Sequence, residues 1–304
     1  MEIAPKRADQ AMLMSTSRLP AARYTSLTAL PTPFMDEGVA EESFAKLVEL
    51  QIEQGSQGIV VCSVTGEGPV LSPKERHRLI QIAVETSAGR APVVAATGTN
   101  CTQETIVLTR AAQEAGASAA LIVTPYYNKP NQAGVYLHCR DVARSVDLPL
   151  IIEADPSRSG IDISSQTLGR LAEIPNIVAI EDVMGDLRRI RDRADLIVLS
   201  GDDNACVSFR LAGGSGSVSV VANLVPTLWA TLQRAVNASD WPRASMIQAA
   251  LQPLVSALQL EANPAPVKYA LSLLHSWFSP QMRLPLVTVN EATGVAVREA
   301  LARL

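Results

Sequence analysis

Eight short apolar runs recur along the chain at intervals of roughly 20 to 35 residues, and this recurrence constrains the fold more than any other feature. They are YTSLTAL (24–30), GIVVC (58–62), PVVAATG (92–98), AALIVTP (119–125), LPLIIEAD (148–155), NIVAIED (176–182), LIVLSGDD (196–203) and GSVSVVAN (216–223). The most continuous of them are rich in Ile and Val without polar alternation, as parallel strands covered on both faces require. Between them, EESFAKLVELQIEQG, SPKERHRLIQIAVETSAG and TQETIVLTRAAQEAG carry apolar residues at helical spacing and end at glycine or just before it. Ser72 and Glu75, with Pro73 between them, predict a capping box with proline at the first helical position. Eight βα units close a (β/α)8 TIM barrel, so the expected fold is α/β with the barrel spanning 24–225. Beyond it the pattern is purely helical, with about four helices predicted over a C-terminal helical domain, 226–304. Residues 1–23 are mixed and polar with no sustained apolar segment, and read as an N-terminal extension without a signal peptide.

A chain of 304 residues, 47% apolar, can bury one core of barrel size. Its 30 acids and 26 bases give a net charge of −4 with no basic block, which argues against nucleic acid as a partner. No apolar run reaches the ~18 residues of a membrane span. Cys62, Cys101, Cys139 and Cys206 are widely spaced and form no C-x-x-C pair, the usage of free thiols in a reducing cytoplasm.

Chemistry in parallel α/β folds gathers at the carboxyl ends of the strands. There the fifth and sixth runs end on Glu153, Asp155, Glu181 and Asp182, and Ser157-Arg158-Ser159-Gly160 supplies a guanidinium beside them. A guanidinium in such a place fixes a carboxylate, either a ligand's or the protein's own. Glu67 and Asp202 are expected at the same face. An oxygen-rich set suits Mg or Mn, but these carboxylates can equally pair with Arg158, and His77, His138 and His275 all fall away from strand ends; no metal is expected. Gly213-Gly214-Ser215-Gly216 reads as a turn more than as a phosphate loop.

The stretch from Leu148 to Gly185, with SVTGEG (63–68), TPYYNKP (124–130), NPAPVKYAL (263–271) and RLPL (283–286), resembles the pyruvate-dependent lyases typified by dihydrodipicolinate synthase and N-acetylneuraminate lyase. The likeness runs from about Thr25 to the end of the chain and implies the barrel, the helical domain, a homodimer or homotetramer and no cofactor. In that family a lysine on the sixth strand forms an imine with pyruvate, and a tyrosine after the fifth strand relays protons with a hydroxyl of the G-[TS]-T-G-E-[SN] turn. This chain carries Glu181 at the lysine position, Glu153 at the tyrosine position and Val64 at the first hydroxyl position. A carboxylate cannot condense with a ketone, and valine has no hydrogen-bonding group. The resemblance leaves Thr65, Gly66 and Arg158 as ligand contacts and Tyr127 at the position of a relay tyrosine, more a structural than a catalytic residue here. It also makes Asn100, Glu104 and Tyr126 a candidate effector site for a lysine-type ligand.

Of the five lysines, Lys6, Lys46, Lys74, Lys129 and Lys268, only Lys129 is expected on a loop at the strand carboxyl ends, where it should be solvated. The expected protein is therefore a cytoplasmic, divergent lyase homologue without imine chemistry. Two readings remain open. One is an inactive or non-catalytic member whose ligand is unknown, and the other is a lyase or hydro-lyase that acts on a small carboxylate or carbonyl compound through Glu181 and Glu153 as acid and base.

Overall fold

The computed structural model describes residues 24–36, 38–191 and 195–304. The extension expected over 1–23 lies outside the described residues, apart from its boundary with Tyr24. The eight barrel strands are β1 (Ser26–Ala29), β2 (Ile59–Val61), β3 (Val93–Ala96), β4 (Ala119–Val123), β5 (Leu150–Ala154), β6 (Ile177–Asp182), β7 (Ile197–Ser200) and β8 (Gly216–Ser219). Each falls inside one of the eight apolar runs. They pair in parallel around a closed barrel in chain order, with β1 also bonded to β8. Closure depends on a missing side chain: a Cβ on Gly216 would stand 1.9 Å from the Thr25 carbonyl oxygen.

Helices α1 (Glu41–Glu53), α2 (Pro73–Ser87), α3 (Thr102–Glu114), α4 (Gln132–Ala143), α5 (Ser165–Ala172), α6 (Arg188–Arg191), α7 (Cys206–Leu211) and α8 (Pro226–Asn237) follow the strands in turn. The Ser72–Glu75 capping box is formed in both directions at the start of α2. Three more helices, α9 (Trp241–Leu258), α10 (Ala265–Leu274) and α11 (Glu291–Leu301), complete the chain.

The two-residue period of a strand sorts the side chains into two layers. Leu27, Val60, Val94, Leu121, Ile151, Ala179, Leu199 and Val218 meet inside the barrel, while Ile59, Val61, Ile122, Ile152, Ile180 and Val198 face the helices. The inner apolar layer stops one step short of the carboxyl ends. The inward positions that follow Ile151 and Ala179 are Glu153 and Glu181, so the same alternation that builds the core raises two carboxyls above it.

Candidate active site

Glu153 and Glu181 are direct neighbours in the parallel register of β5 and β6. They line a cavity of about 460 Å³ between the strand ends and the segment joining α9 to α10. Glu181 is 5% exposed, and its Oε2 has no hydrogen-bond partner. Gly201 makes room for it, since a Cβ there would stand 2.8 Å from Glu181 Oε1. Burial, then the charges of Glu153, Asp155 and Asp182, push the Glu181 carboxyl well above the usual carboxylate range. Burial also raises Glu153, to about 7, with Asp155 adding to the rise and Arg158 opposing it. Two adjacent carboxyls in such a place do not both ionise cheaply, so at neutral pH the pair carries a proton.

The other acids of the two strand ends are already engaged. Asp155 caps the one-turn helix Pro156–Ser159 by accepting from the Ser157 and Arg158 amides, and its second oxygen pairs with Arg158 Nε at 3.5 Å. The guanidinium is thus held by Asp155 and not by Glu153 or Glu181. Asp182, one residue past Glu181, faces outward and pairs with the buried Arg189 at 3.1 Å, which also binds Asp162. The register accounts for the difference, because odd and even positions of β6 face opposite sides.

Thr65 is buried in the cavity wall, and its hydroxyl accepts from Asn263 Nδ2 at 2.8 Å, a contact across 198 positions of sequence. Gly66 lies beneath it, its carbonyl accepting from the Thr32 hydroxyl. Val64 lines the same cavity, as do Asp202 and Asp203 beyond β7. Glu67 does not: it turns into the interior and pairs with Lys268 at 2.6 Å. The expectation of four acids, Glu67, Glu153, Glu181 and Asp202, on one open face is corrected for Glu67 on that ground. Among the described residues no three His, Cys, Asp or Glu side chains converge to hold a metal ion.

Tyr127 lies outside the cavity. It is 88% exposed, in a left-handed backbone conformation, on a loop with Lys129. Tyr126 is partly buried and lines a second cavity, of about 210 Å³, which shares Ser63, Val64, Glu153 and Arg158 with the first. Asn100 does not cap α3, whose first cap is Cys101. Asn100 instead exchanges hydrogen bonds with Asn128 on the tyrosine loop, while Glu104 is exposed on the first turn of α3. No hydrogen bond or ion pair joins Asn100, Glu104 and Tyr126 to one another. Gly213-Gly214-Ser215 precedes β8 at the amino-terminal face, the far end of the barrel from the cavity, where a phosphate loop would serve no strand-end site.

Sequence reasoning missed Lys268. It is fully buried within α10, and burial lowers its ammonium pKa to about 8 against the opposing pull of Glu67. A lone lysine in the apolar segment PAPVKYALSLL was the available signal. It lines neither cavity, so no lysine faces Glu153 and Glu181 among the described residues.

A closed parallel barrel with carboxyls at its strand ends and helices over the mouth defines a (β/α)8 barrel protein with a C-terminal helical domain. The model of the dihydrodipicolinate synthetase family matches residues 23–304, and the chain belongs to that family. It is 47% identical over 283 residues to a 4-hydroxy-tetrahydrodipicolinate synthase of Rhodospirillum centenum, covering 91% of this chain and 97% of the relative. A synthase of the same name from Sphingopyxis alaskensis is 42% identical over 282 residues, with 91% and 97% covered. Among solved structures, the chloride-inhibited dihydrodipicolinate synthase of Acinetobacter baumannii, complexed with pyruvate, superposes with a TM-score of 0.89 at 41% identity, covering 92% of this chain and 98% of that one. The Aquifex aeolicus enzyme gives 0.89 at 39%, with 92% and 97% covered. In the described residues no helix is long and apolar enough to cross a membrane.

Proposed function

We propose that this protein is a dihydrodipicolinate synthase-like member of its family that does not carry out imine chemistry with pyruvate. One observation carries the reading. The inward strand-end positions of β5 and β6 hold a buried pair of carboxyls, Glu153 and Glu181, and every described lysine lies elsewhere. An imine needs a neutral amine at the carbonyl carbon. Lys268 is committed to Glu67, Lys129 sits on the exposed tyrosine loop, and Lys46 and Lys74 belong to barrel helices. The cavity keeps Thr65 and Arg158 as ligand-facing elements, with Gly66 supporting the turn beneath them, and the chain acts from a cytoplasmic homodimer or homotetramer. The ring of Tyr127, 88% exposed and outside the Glu153–Glu181 cavity, supports an interface role for that loop.

A second reading is favoured by the raised carboxyls. A Glu153 raised by burial to about 7, beside a Glu181 that burial also raises well above the usual carboxylate range, forms an acid and base pair suited to proton transfer on a small carbonyl or carboxylate compound. Both readings exclude the imine. Borohydride reduction in the presence of pyruvate, followed by intact mass and peptide mapping, tests them together. No pyruvyl adduct is expected, and an adduct on any lysine overturns the proposal.

A further inference from the structure

The charges around the large cavity are one-sided. Six acids line it, Glu153, Asp155, Glu181, Asp202, Asp203 and Glu261, against a single base, Arg158. Four of the six are already used: Asp155 by its cap and by Arg158, Asp202 by the Asn204 amide, Asp203 by the amides of Val220 and Val221, and Glu261 by the Asn290 amide. Asp203 also keeps one buried oxygen without a partner, but its other oxygen is engaged, whereas Glu181 accepts no hydrogen bond: its residue is 5% exposed, its Oε2 has no partner, and it faces the cavity beside a second carboxyl. A buried acceptor left without a donor is costly, and a ligand bearing N–H donors and positive charge removes that cost on binding.

Size and wall chemistry narrow the class. About 460 Å³ is far more than a bare ion fills, and the surfaces around the acids are apolar, Val60 and Leu121 beneath them and Val64, Met184, Val255 and Leu258 in the rest of the wall. A compact divalent ion would leave that surface unused and would find no three converging ligands among the described residues.

We propose that the cavity binds a small organic ammonium compound, its nitrogen donating to the Glu153–Glu181 pair and its hydrocarbon part lying against the Val64, Leu121 and Leu258 walls. The assignment rests on the reading that no imine forms here, because an amine ligand occupies the place where a lysine would have to stand. The ammonium is the shared chemistry of two sources, a simple amine and an amino acid. Arg158, exposed at the rim and only partly neutralised by Asp155, distinguishes them by its pull on a carboxylate.

Three probes of equal chain length make the test: n-pentylamine, 5-aminopentanoate and pentanoate, followed by thermal shift and titration calorimetry on the full chain. The two nitrogen compounds should raise Tm and bind, and pentanoate should do neither. Glu181→Gln should weaken amine binding at least tenfold, and Glu153→Gln supplies a second variant should the first fail to fold, with far-ultraviolet circular dichroism as the folding control. Stronger binding of 5-aminopentanoate than of pentylamine, lost in Arg158→Ala, identifies the amino-acid source; equal binding identifies a simple amine. Pentanoate binding as well as the amines, no amine binding to the wild type, or undiminished binding in both glutamine variants overturns the proposal. Borohydride trapping run in parallel separates the two claims: an adduct sinks the reading of the site, whereas amine silence without an adduct sinks only this assignment.

Discussion

Lys268 places its ammonium nitrogen 2.6 Å from Glu67 Oε1, with neither side chain exposed to solvent. The same nitrogen donates to the Gln281 carbonyl and lies 4.4 Å from the centre of the Phe34 ring, while Glu67 Oε2 accepts from the Arg283 amide at 3.1 Å. This cluster fastens the helical segment to the turn after β2. Removing one partner strands the other charge in the interior, so Lys268→Met should lower the unfolding free energy by about 3–5 kcal/mol. Adding Glu67→Leu to it should recover a large part of that loss. Urea denaturation of the single and double variants measures both, and additive losses would show that the pair is not coupled.

The Glu153–Glu181 pair sets a slope of stability against pH. Both carboxyls are raised in the folded protein, Glu153 to about 7, so the folded chain holds protons that the unfolded chain releases above about pH 4.3. For Glu153 that contribution is full below the unfolded value and is lost as pH rises through about 7, and Glu181 adds a slope of the same sign. Asp155, Arg158, Asp182, Asp202 and Glu261 surround the pair, and Asp203, itself pushed up to about 6 by burial, tilts the slope the same way. Wild type should lose on the order of 2 kcal/mol between pH 5 and 8. The doubly substituted Glu153→Gln, Glu181→Gln protein should show a visibly flatter curve in thermal scans. Parallel curves would count against a shared proton.

Restoring the missing amine alone should not restore chemistry. A lysine at 181 would stand beside Glu153 and be held as an ammonium by it, which is no nucleophile. Glu181→Lys is therefore expected to give no trapped pyruvyl adduct, while the triple change Val64→Thr, Glu153→Tyr, Glu181→Lys should give one. Groups that act together fail and recover together. An adduct in the single variant equal to that in the triple would remove the argument.

Arg283 bridges the capping box of α2 to the helical segment. It binds Glu75 at 2.6 Å, donates to the Val70 carbonyl and stacks over Phe34. Its hydrogen bond pulls Glu75 down to about 2, against the effect of burial. The stability this pair adds is present above the unfolded value of about 4.3 and lost as pH falls toward 2. Because both side chains are partly solvated, Arg283→Ala should cost only about 1 kcal/mol at neutral pH. The difference from wild type should shrink in acid, as followed by circular dichroism. A difference that persists at pH 2 would assign the loss to the Phe34 contact instead.

The barrel was legible because each strand announces itself locally. LPLIIEAD and NIVAIED are apolar over enough consecutive residues to need cover on both faces, and their register brings Glu153 and Glu181 together as the strand period requires. The capping box at Ser72 was legible for the same reason, its partners being three residues apart. What stayed hidden was every pairing made across the fold. Arg158 lies three residues from Asp155, five from Glu153 and 23 from Glu181, yet only side-chain geometry selects Asp155. Nothing in NPAPVKYAL shows that Lys268 reaches a glutamate 201 positions earlier. Asp182 and Glu181 look equivalent in sequence, and only their opposite facing makes one an ion-pair partner of Arg189 and the other a cavity wall.

The hydrogen bond from Asn263 to Thr65 has a consequence for the order in which the molecule comes into being. During synthesis Thr65 emerges early and must wait through 198 further positions for its partner. Until then the cavity has strand ends for a floor and lacks the Asn263 side of its roof. Contacts of such sequence separation are slow to close. While the segment around Asn263 is still unmade, Glu153 and Glu181 can already face each other from β5 and β6 but lack the cover that completes their cavity, so no ligand selected by the finished cavity can guide the folding that precedes it.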